Sequence, residues 1–349
     1  MARNNNKMTR RKKVEPAALT MTFSLPQIAA GSAARMYIDL SQCASLLNRR
    51  FYRQGINWAV SKIKVLSDYN GFVFTNKLPT TWVMSNAWEK GFRSWQKMNN
   101  EALQEAESVK PKFLDFKIYA NANHHNDGFG ANLLPLSYDN AVGLPYATVQ
   151  ALPGEWTASK FRIPDSSSGL NATQNREIVA VGDSYTNASA ATGFNAVSLI
   201  DGYAASRALP DIADPNTPDD AASADGSTPV NWMSALFNEG TQQTDDVLDD
   251  MITENTVAPY PFENDGVNLD TMYPGGANQL GGLQIHDTSL FTGTTVGGET
   301  HIPGGMFPCG LIELLIGINA DTVNTGGTLQ IELVPGDHRG YLCEPMTEM

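Results

Sequence analysis

Two stretches near opposite ends of the chain alternate apolar and polar side chains with a period of two. In Thr328–Val334, Leu329, Ile331 and Leu333 alternate with Gln330 and Glu332. In Ala18–Leu25, Leu19, Met21, Phe23 and Leu25 alternate with Thr20, Thr22 and Ser24. Successive side chains of a strand point to opposite faces, so each stretch reads as a strand with one buried face. Further strands are expected at Arg35–Leu40, Trp58–Leu66, Phe72–Asn76, Phe113–Ala120, Trp156–Ile163, Glu177–Val181, Leu283–His286 and Gly310–Ile318. They do not alternate regularly with helical stretches and no internal repeat is visible. A doubly wound parallel sheet is therefore disfavoured.

A few helices interrupt this pattern. Met84, Trp88, Phe92, Trp95, Met98 and Ala102 recur at three- and four-residue spacing, which predicts a helix capped by Thr81 and running to about Glu105. Such an aromatic stripe reads as core packing rather than as a platform for stacked bases. Ser41 is expected to cap a short helix through Leu47. Another helix is expected at Asp245–Thr253, with a shorter one before it that has Pro229 in its first turn. Asn121–Pro153 and the stretch 183–230, with an acidic Ala/Asp/Pro section at 208–226, read as long excursions over the surface. The expected fold is all-β, a jelly-roll sandwich with helical insertions in its loops. Residues 1–16 form a disordered basic arm. Residues 17–349 form the sandwich, with insertions at about 121–153 and 183–280.

Charge is placed unevenly. Arg3, Lys7, Arg10, Arg11, Lys12 and Lys13 lie within the first thirteen residues, with no acid among them. The whole chain carries −13 and this arm contributes six positive charges, so the remainder carries −19. The body alone would repel a polyanion, and nucleic-acid binding is assigned to the six arm residues. Arg49, Arg50 and Arg53 form a second basic cluster, suited to a phosphate, a neighbouring subunit or plain solvent. The arm followed by Ala-Gly-Ser-Ala-Ala imitates a signal peptide, but the period-two pattern of Ala18–Leu25 is not a continuous apolar core. No run is long and apolar enough to span a membrane. Cys43, Cys309 and Cys343 are odd in number and widely spaced, so neither a disulfide framework nor a zinc site is indicated. A reducing site of synthesis is expected.

Candidate chemistry is sparse. His124 and His125 with Asp127 read as a polar loop. Asp245, Asp246, Asp249 and Asp250 read as a solvated helix face, with calcium at a subunit contact the other use for such a group. No metal, cofactor or catalytic residue is expected.

Resemblance adds to this reading. Tyr37–Cys43 (YIDLSQC), Leu47–Gly55 (LNRRFYRQG), Thr81-Trp82, Asn86–Glu89, Trp95, Trp156–Asp165 (WTASKFRIPD) and Gly340–Pro345 (GYLCEP) resemble the coat proteins of circular, Rep-encoding single-stranded DNA viruses. The likeness covers the first half and the last strands. It implies a jelly-roll subunit that assembles with copies of itself into an icosahedral shell around a circular single-stranded DNA genome. The basic arm would face inward. The location would be the virion, with passage through the host nucleus during assembly; Arg10–Lys13 has the form of a nuclear-import signal. The arm departs from the pattern in mixing six basic residues with Asn4, Asn5 and Asn6, where such arms are often long and dense in arginine.

A rival resemblance lies at Glu177–Asn187 (EIVAVGDSYTN), which is similar to the first block of the GDSL/SGNH hydrolases. It implies an esterase with Ser184 as nucleophile and a base from Asp337-His338 or His286-Asp287. Ser184 sits mid-chain, those acid–His pairs are adjacent rather than spaced, and no oxyanion block matches. A β-sandwich attachment protein of a virion is the third reading.

Overall fold

The computed structural model describes residues 16–67, 69–102, 104, 115–138, 148–164, 173–183, 185–207, 282–292, 298–320 and 327–349. Eight strands build the frame: β1 (Thr20–Ser24), β2 (Ala33–Asp39), β3 (Ile56–Leu66), β4 (Gly71–Lys77), β5 (Gln284–Phe291), β6 (Glu299–Phe307), β7 (Leu311–Ile318) and β8 (Thr328–Leu333). They form two antiparallel sheets, ordered β1-β8-β3-β6 and β5-β4-β7-β2. The pairs β1–β8, β2–β7, β3–β6 and β4–β5 are all antiparallel. The short strand Cys343–Pro345 extends the first sheet along β3.

The alternation in the sequence explains the layering. Met21 and Phe23 of β1 and Leu329, Ile331 and Leu333 of β8 face inward, with Thr20, Thr22, Gln330 and Glu332 on the other side. They meet Ile38 of β2, Val73 of β4 and Ile312, Leu314 and Ile316 of β7 in one core shared by both sheets. In β3 the inward set changes parity, with Trp58 and Val60 before Ser61 and Ile63 and Val65 after it. The register against β8 slips there, from Glu332 opposite Lys62 to Leu333 opposite Val60. Ser61 is the extra residue of a β-bulge, which lets both halves of a long strand face the same core. On the other side, a Cβ at Gly304 of β6 would lie 2.1 Å from the Ser61 carbonyl oxygen, so only glycine fits. Strand β6 was hidden in the sequence by Pro303, Gly304 and Gly305, which look like a turn. As an edge strand, β6 tolerates the proline's missing N–H.

Residues 78–283 run between β4 and β5, and their described parts build a second layer. Helix α1 (Leu40–Asn48) precedes β3. Helices α2 (Trp82–Ala102), α3 (Ala122–Asp127) and α4 (Leu199–Arg207) lie in this long connection. A three-stranded sheet joins Phe161–Pro164 antiparallel to Thr173–Val179, and that strand parallel to Asn195–Ser198. Met84, Ala87, Trp88 and Trp95 of α2 pack with Phe116, Ile118, Ile178, Leu199, Ile200 and Tyr203 in a second core that meets the sandwich at Cys309, Leu311 and Met346. Met84, Trp88 and Trp95 of the stripe are therefore core, as the periodicity implies, and Phe92 packs partly buried against them. Thr81 Oγ1 accepts from the Met84 N–H at 3.4 Å at the start of α2.

Several expectations need correction. Asp39, not Ser41, caps α1: its Oδ1 accepts from the Ser41 and Gln42 N–H groups at 2.9 and 3.2 Å. Ser41 is drawn into the core contact, accepting from Trp58 Nε1 at 3.1 Å. Residues 115–120 are not a laddered strand and make one bridge, Tyr119 to Val179. Regular pairing after Trp156 begins only at Phe161. The Asn121–Pro153 stretch is not a simple surface excursion, because His124 and His125 of α3 and Phe129, Asn132, Leu133 and Leu134 are buried. The helices expected at Asp245–Thr253 and after Pro229 lie outside the described residues, as does the acidic section 208–226.

Candidate nucleic-acid interface

Arg3, Lys7, Arg10, Arg11, Lys12 and Lys13 lie outside the described residues. What is described is the root from which that arm leaves the fold. The Ala18 N–H donates to Asn48 Oδ1 at 2.9 Å. The Ala18 carbonyl accepts from the Tyr341 hydroxyl at 2.7 Å. Asn48 Nδ2 in turn donates to the Tyr341 oxygen at 2.7 Å. The last turn of α1 and the closing hairpin thus clamp the residues just after the arm.

Basic side chains gather around this root from two distant stretches. Helix α1 ends at Arg49 in a left-handed conformation, φ 52°. The chain then turns, and Arg49, Arg50 and Arg53 are exposed in the stretch that follows. Cations are favoured where helix carbonyls point outward unpaired. Arg339, exposed on the closing hairpin, joins them: its Nη1 donates to the Phe51 carbonyl and its own carbonyl accepts from the Tyr52 hydroxyl at 3.0 Å. Asp337 lies on the same hairpin. The cluster at Arg49–Arg53 was legible in the sequence. Arg339, nearly three hundred residues away, carried no signal.

A cleft of about 480 Å³ opens beside this cluster, lined by Phe51, Arg53, Gly55, Ile56, Trp88, Phe92, Phe116, His338 and Arg339. Phe92 lies parallel to Trp88, with centroids 5.1 Å apart, and continues toward Trp95 at 6.4 Å. Phe51 is 48% exposed at the rim. Burial and then the Arg339 charge hold the His338 imidazole below its ordinary value, so the ring is neutral near pH 7. Behind Arg53, Asp115 pairs with Lys117.

A closed polar network fastens the long connection to the sandwich. Asp39 Oδ2 accepts from Gln54 Nε2 at 3.0 Å and from Trp156 Nε1 at 2.9 Å. Gln54 also donates to the Ile118 carbonyl and accepts from the Ile118 N–H. Asp39 is fully buried, and that burial pushes its carboxyl up to about 6 against the four donors that pull it down. Alongside, Glu313 accepts from Tyr37 at 2.6 Å, Asn76 at 2.8 Å and Asn121 at 3.1 Å. His124 is stacked on Tyr37 and bonded to Asn132 at 2.9 Å. Desolvation lowers it to about 3, so it is a neutral structural ring rather than part of a polar loop.

Ser184 lies outside the described residues. His286 bonds the Pro303 carbonyl between β5 and β6, while His338 sits in the cleft. The imidazole near this loop is His125, buried between Glu177 at 3.0 Å and the Thr186 hydroxyl at 3.1 Å. The Thr186 oxygen also accepts from the Ala196 N–H, so it is bound into the loop's own structure. Among the described residues no three His, Cys, Asp or Glu side chains converge as metal ligands, and Asp245, Asp246, Asp249 and Asp250 fall outside them. Cys43, Cys309 and Cys343 are free thiols. No helix among the described residues is long and apolar enough to cross a membrane.

Comparison with protein-family models gives no match for this chain, and comparison with curated proteins and with solved structures gives none either.

Proposed function

We propose that this chain is the coat subunit of a virus, a jelly-roll protein that assembles with copies of itself into an icosahedral shell around a circular single-stranded DNA genome. The observation that carries this reading is the strand pairing. Pairs β1–β8, β2–β7, β3–β6 and β4–β5 are those produced by winding one long antiparallel ribbon into a sandwich, the arrangement of jelly-roll capsid domains. Elaboration of a single connection, 78–283, leaves such a frame intact. The sequence resemblance to coat proteins of circular single-stranded DNA viruses points the same way.

The mechanism is assembly. Ile285 and Leu290 stand 60% and 74% exposed on the edge strand β5, apolar surface that a neighbouring copy would cover. Closed symmetry repeats each such contact without leaving an open end. The six arm charges and the arginines at its root neutralise phosphates and release counterions, which requires no reading of sequence. The body's charge of −19 confines attraction for the genome to this region. The protein belongs in the virion, and no metal or cofactor enters the reading.

Negative-stain microscopy of the purified full chain, with absorbance at 260 and 280 nm on the same sample, tests the proposal. Uniform closed particles with raised 260 nm absorbance are expected. A small monodisperse species across buffers and concentrations overturns the shell reading and directs attention to ester hydrolysis at Ser184.

A further inference from the structure

We infer that a second cleft, at the C-terminal end of α3, binds a pyranose sugar whose hydroxyl groups are held by Glu177, Tyr119 and Lys160. The inference does not depend on the coat reading and stands or falls apart from it.

The cleft has a volume of about 510 Å³, within the range of sites that enclose small ligands. Two buried polar side chains line it with their bonding incomplete. Glu177 is 1% exposed. Its Oε2 takes both of its hydrogen bonds, with Thr192 at 2.7 Å and His125 at 3.0 Å. Its Oε1 has only the Lys160 ammonium, 3.8 Å away and beyond hydrogen-bond reach. A carboxylate oxygen only accepts, so a donor brought into the cleft completes it. Tyr119 is also 1% exposed. Phe129 stacks on its ring with centroids 4.3 Å apart, and the rings of His124 and His125 pack edge-on to it at 5.2 Å. What Tyr119 can offer the cleft is therefore its hydroxyl, which makes no hydrogen bond among the described residues. Burial and then the Glu177 charge raise its pKa, so it remains a protonated donor.

The charges select the ligand. Glu177, Asp127 and Lys160 line the same cleft. The Lys160 ammonium disfavours a second cation at Glu177, and the two carboxylates disfavour an anion at Lys160. A neutral ligand with several hydroxyls suits all of these groups, since each O–H donates to a carboxylate or accepts from Tyr119 or the ammonium. The rest of the lining includes Phe129, Ala158, Ala191 and Trp156. The Trp156 N–H is already given to Asp39, and Lys117 lies over its ring at 4.5 Å, so Trp156 contributes carbon surface rather than a donor. A pyranose combines hydroxyls around its edge with carbon–hydrogen faces, which is the mixture these walls present. Gly130 leaves room for it: a Cβ there would meet no atom within 4 Å.

The test is saturation-transfer NMR on the full chain with the methyl glycosides of glucose, mannose, galactose and N-acetylglucosamine, and with spermidine and inorganic phosphate as charged probes. Saturation transfer to at least one glycoside is expected, with ring protons labelled more strongly than the methyl group. Tyr119→Phe keeps the packed ring and removes the hydroxyl, and it should weaken that binding about tenfold, the effect of one lost hydrogen bond. Gly130→Leu places a side chain in open space without a positive φ to strain it, and it should abolish the transfer. Unchanged thermal unfolding of both variants checks that they are folded. No transfer to any glycoside, or transfer that survives Gly130→Leu, overturns the inference. Binding of spermidine or phosphate in place of the glycosides overturns it as well, because it shows that one charge dominates the cleft. None of these outcomes bears on particle assembly.

Discussion

The Tyr341 hydroxyl donates to the Ala18 carbonyl across 2.7 Å and accepts from Asn48 at the same distance. It ties the closing hairpin, α1 and the root of the arm at one buried oxygen. Tyr341→Phe leaves the ring contacts and strips that oxygen out. Stability to urea should fall by about 1–3 kcal/mol, because the Ala18 carbonyl loses its partner in a site with little water. Amide exchange should quicken at residues 17–19 while the β3–β6 pairing stays protected. Unchanged exchange there would show that the clamp is incidental.

Asp39 makes stability depend on pH in the direction opposite to most acids. Its carboxyl rises from about 3.8 to about 6 on folding because burial outweighs its donors. The folded state then holds a proton that the unfolded state has released. Stability from this group is greatest below its unfolded value and declines as pH rises from about 4 to about 6, by roughly 3 kcal/mol in all. Asp39→Asn cannot titrate, but it turns an amide toward the donors of Gln54 and Trp156. The variant should be less stable at pH 4, and its deficit should shrink by about 3 kcal/mol by pH 7. Urea midpoints of both proteins at the two pH values measure this, and a deficit that grows with pH would contradict it.

Trp88 and Trp95 are 6% and 9% exposed within the second core. Either change to Ala should cost about 3–5 kcal/mol in chemical denaturation, the usual result of emptying a large buried ring. A loss of a few tenths would place the ring on a surface. Gly55 sets the same constraint from the other side, since a Cβ there would lie 2.2 Å from Trp88 Cζ2.

Deletion of residues 1–13 removes all six arm charges but none of the described fold. Denaturation should be unchanged, while nucleic acid recovered with the protein should drop and its remaining binding should depend less steeply on salt. The 260 to 280 nm ratio of purified samples at two salt concentrations measures it. Equal nucleic-acid content with and without the arm would remove the arm from the mechanism.

The strands that were legible are those in which one face meets the core and the other meets polar surroundings. Leu329, Ile331 and Leu333 announced β8 in this way, and the 3.6-residue spacing of Trp88, Phe92 and Trp95 announced α2. Strand β6 was not legible because its Pro303 and Gly304 are chosen for an edge and for contact with a bulge, both properties of its neighbours. His124 and His125 looked like loop residues. Their burial depends on Tyr37, Asn132 and Glu177, none of them close in sequence. Within the candidate site, the arginines at 49, 50 and 53 could be read as a cluster, whereas Arg339 and Phe92 became part of it only through folding.

By itself the sequence determined that the chain is rich in half-buried strands, that one helix carries an aromatic face, and that positive charge is concentrated at one end of an acidic chain. These are local properties, written in the spacing of side chains along one backbone. Only the tertiary structure decided which strands pair, that Asp39 rather than Ser41 caps α1, and that Arg53, Arg339 and Phe92 share a cleft beside the root of the arm. Those contacts join residues far apart in the chain, and no periodicity records which distant surfaces close on one another when the two cores form.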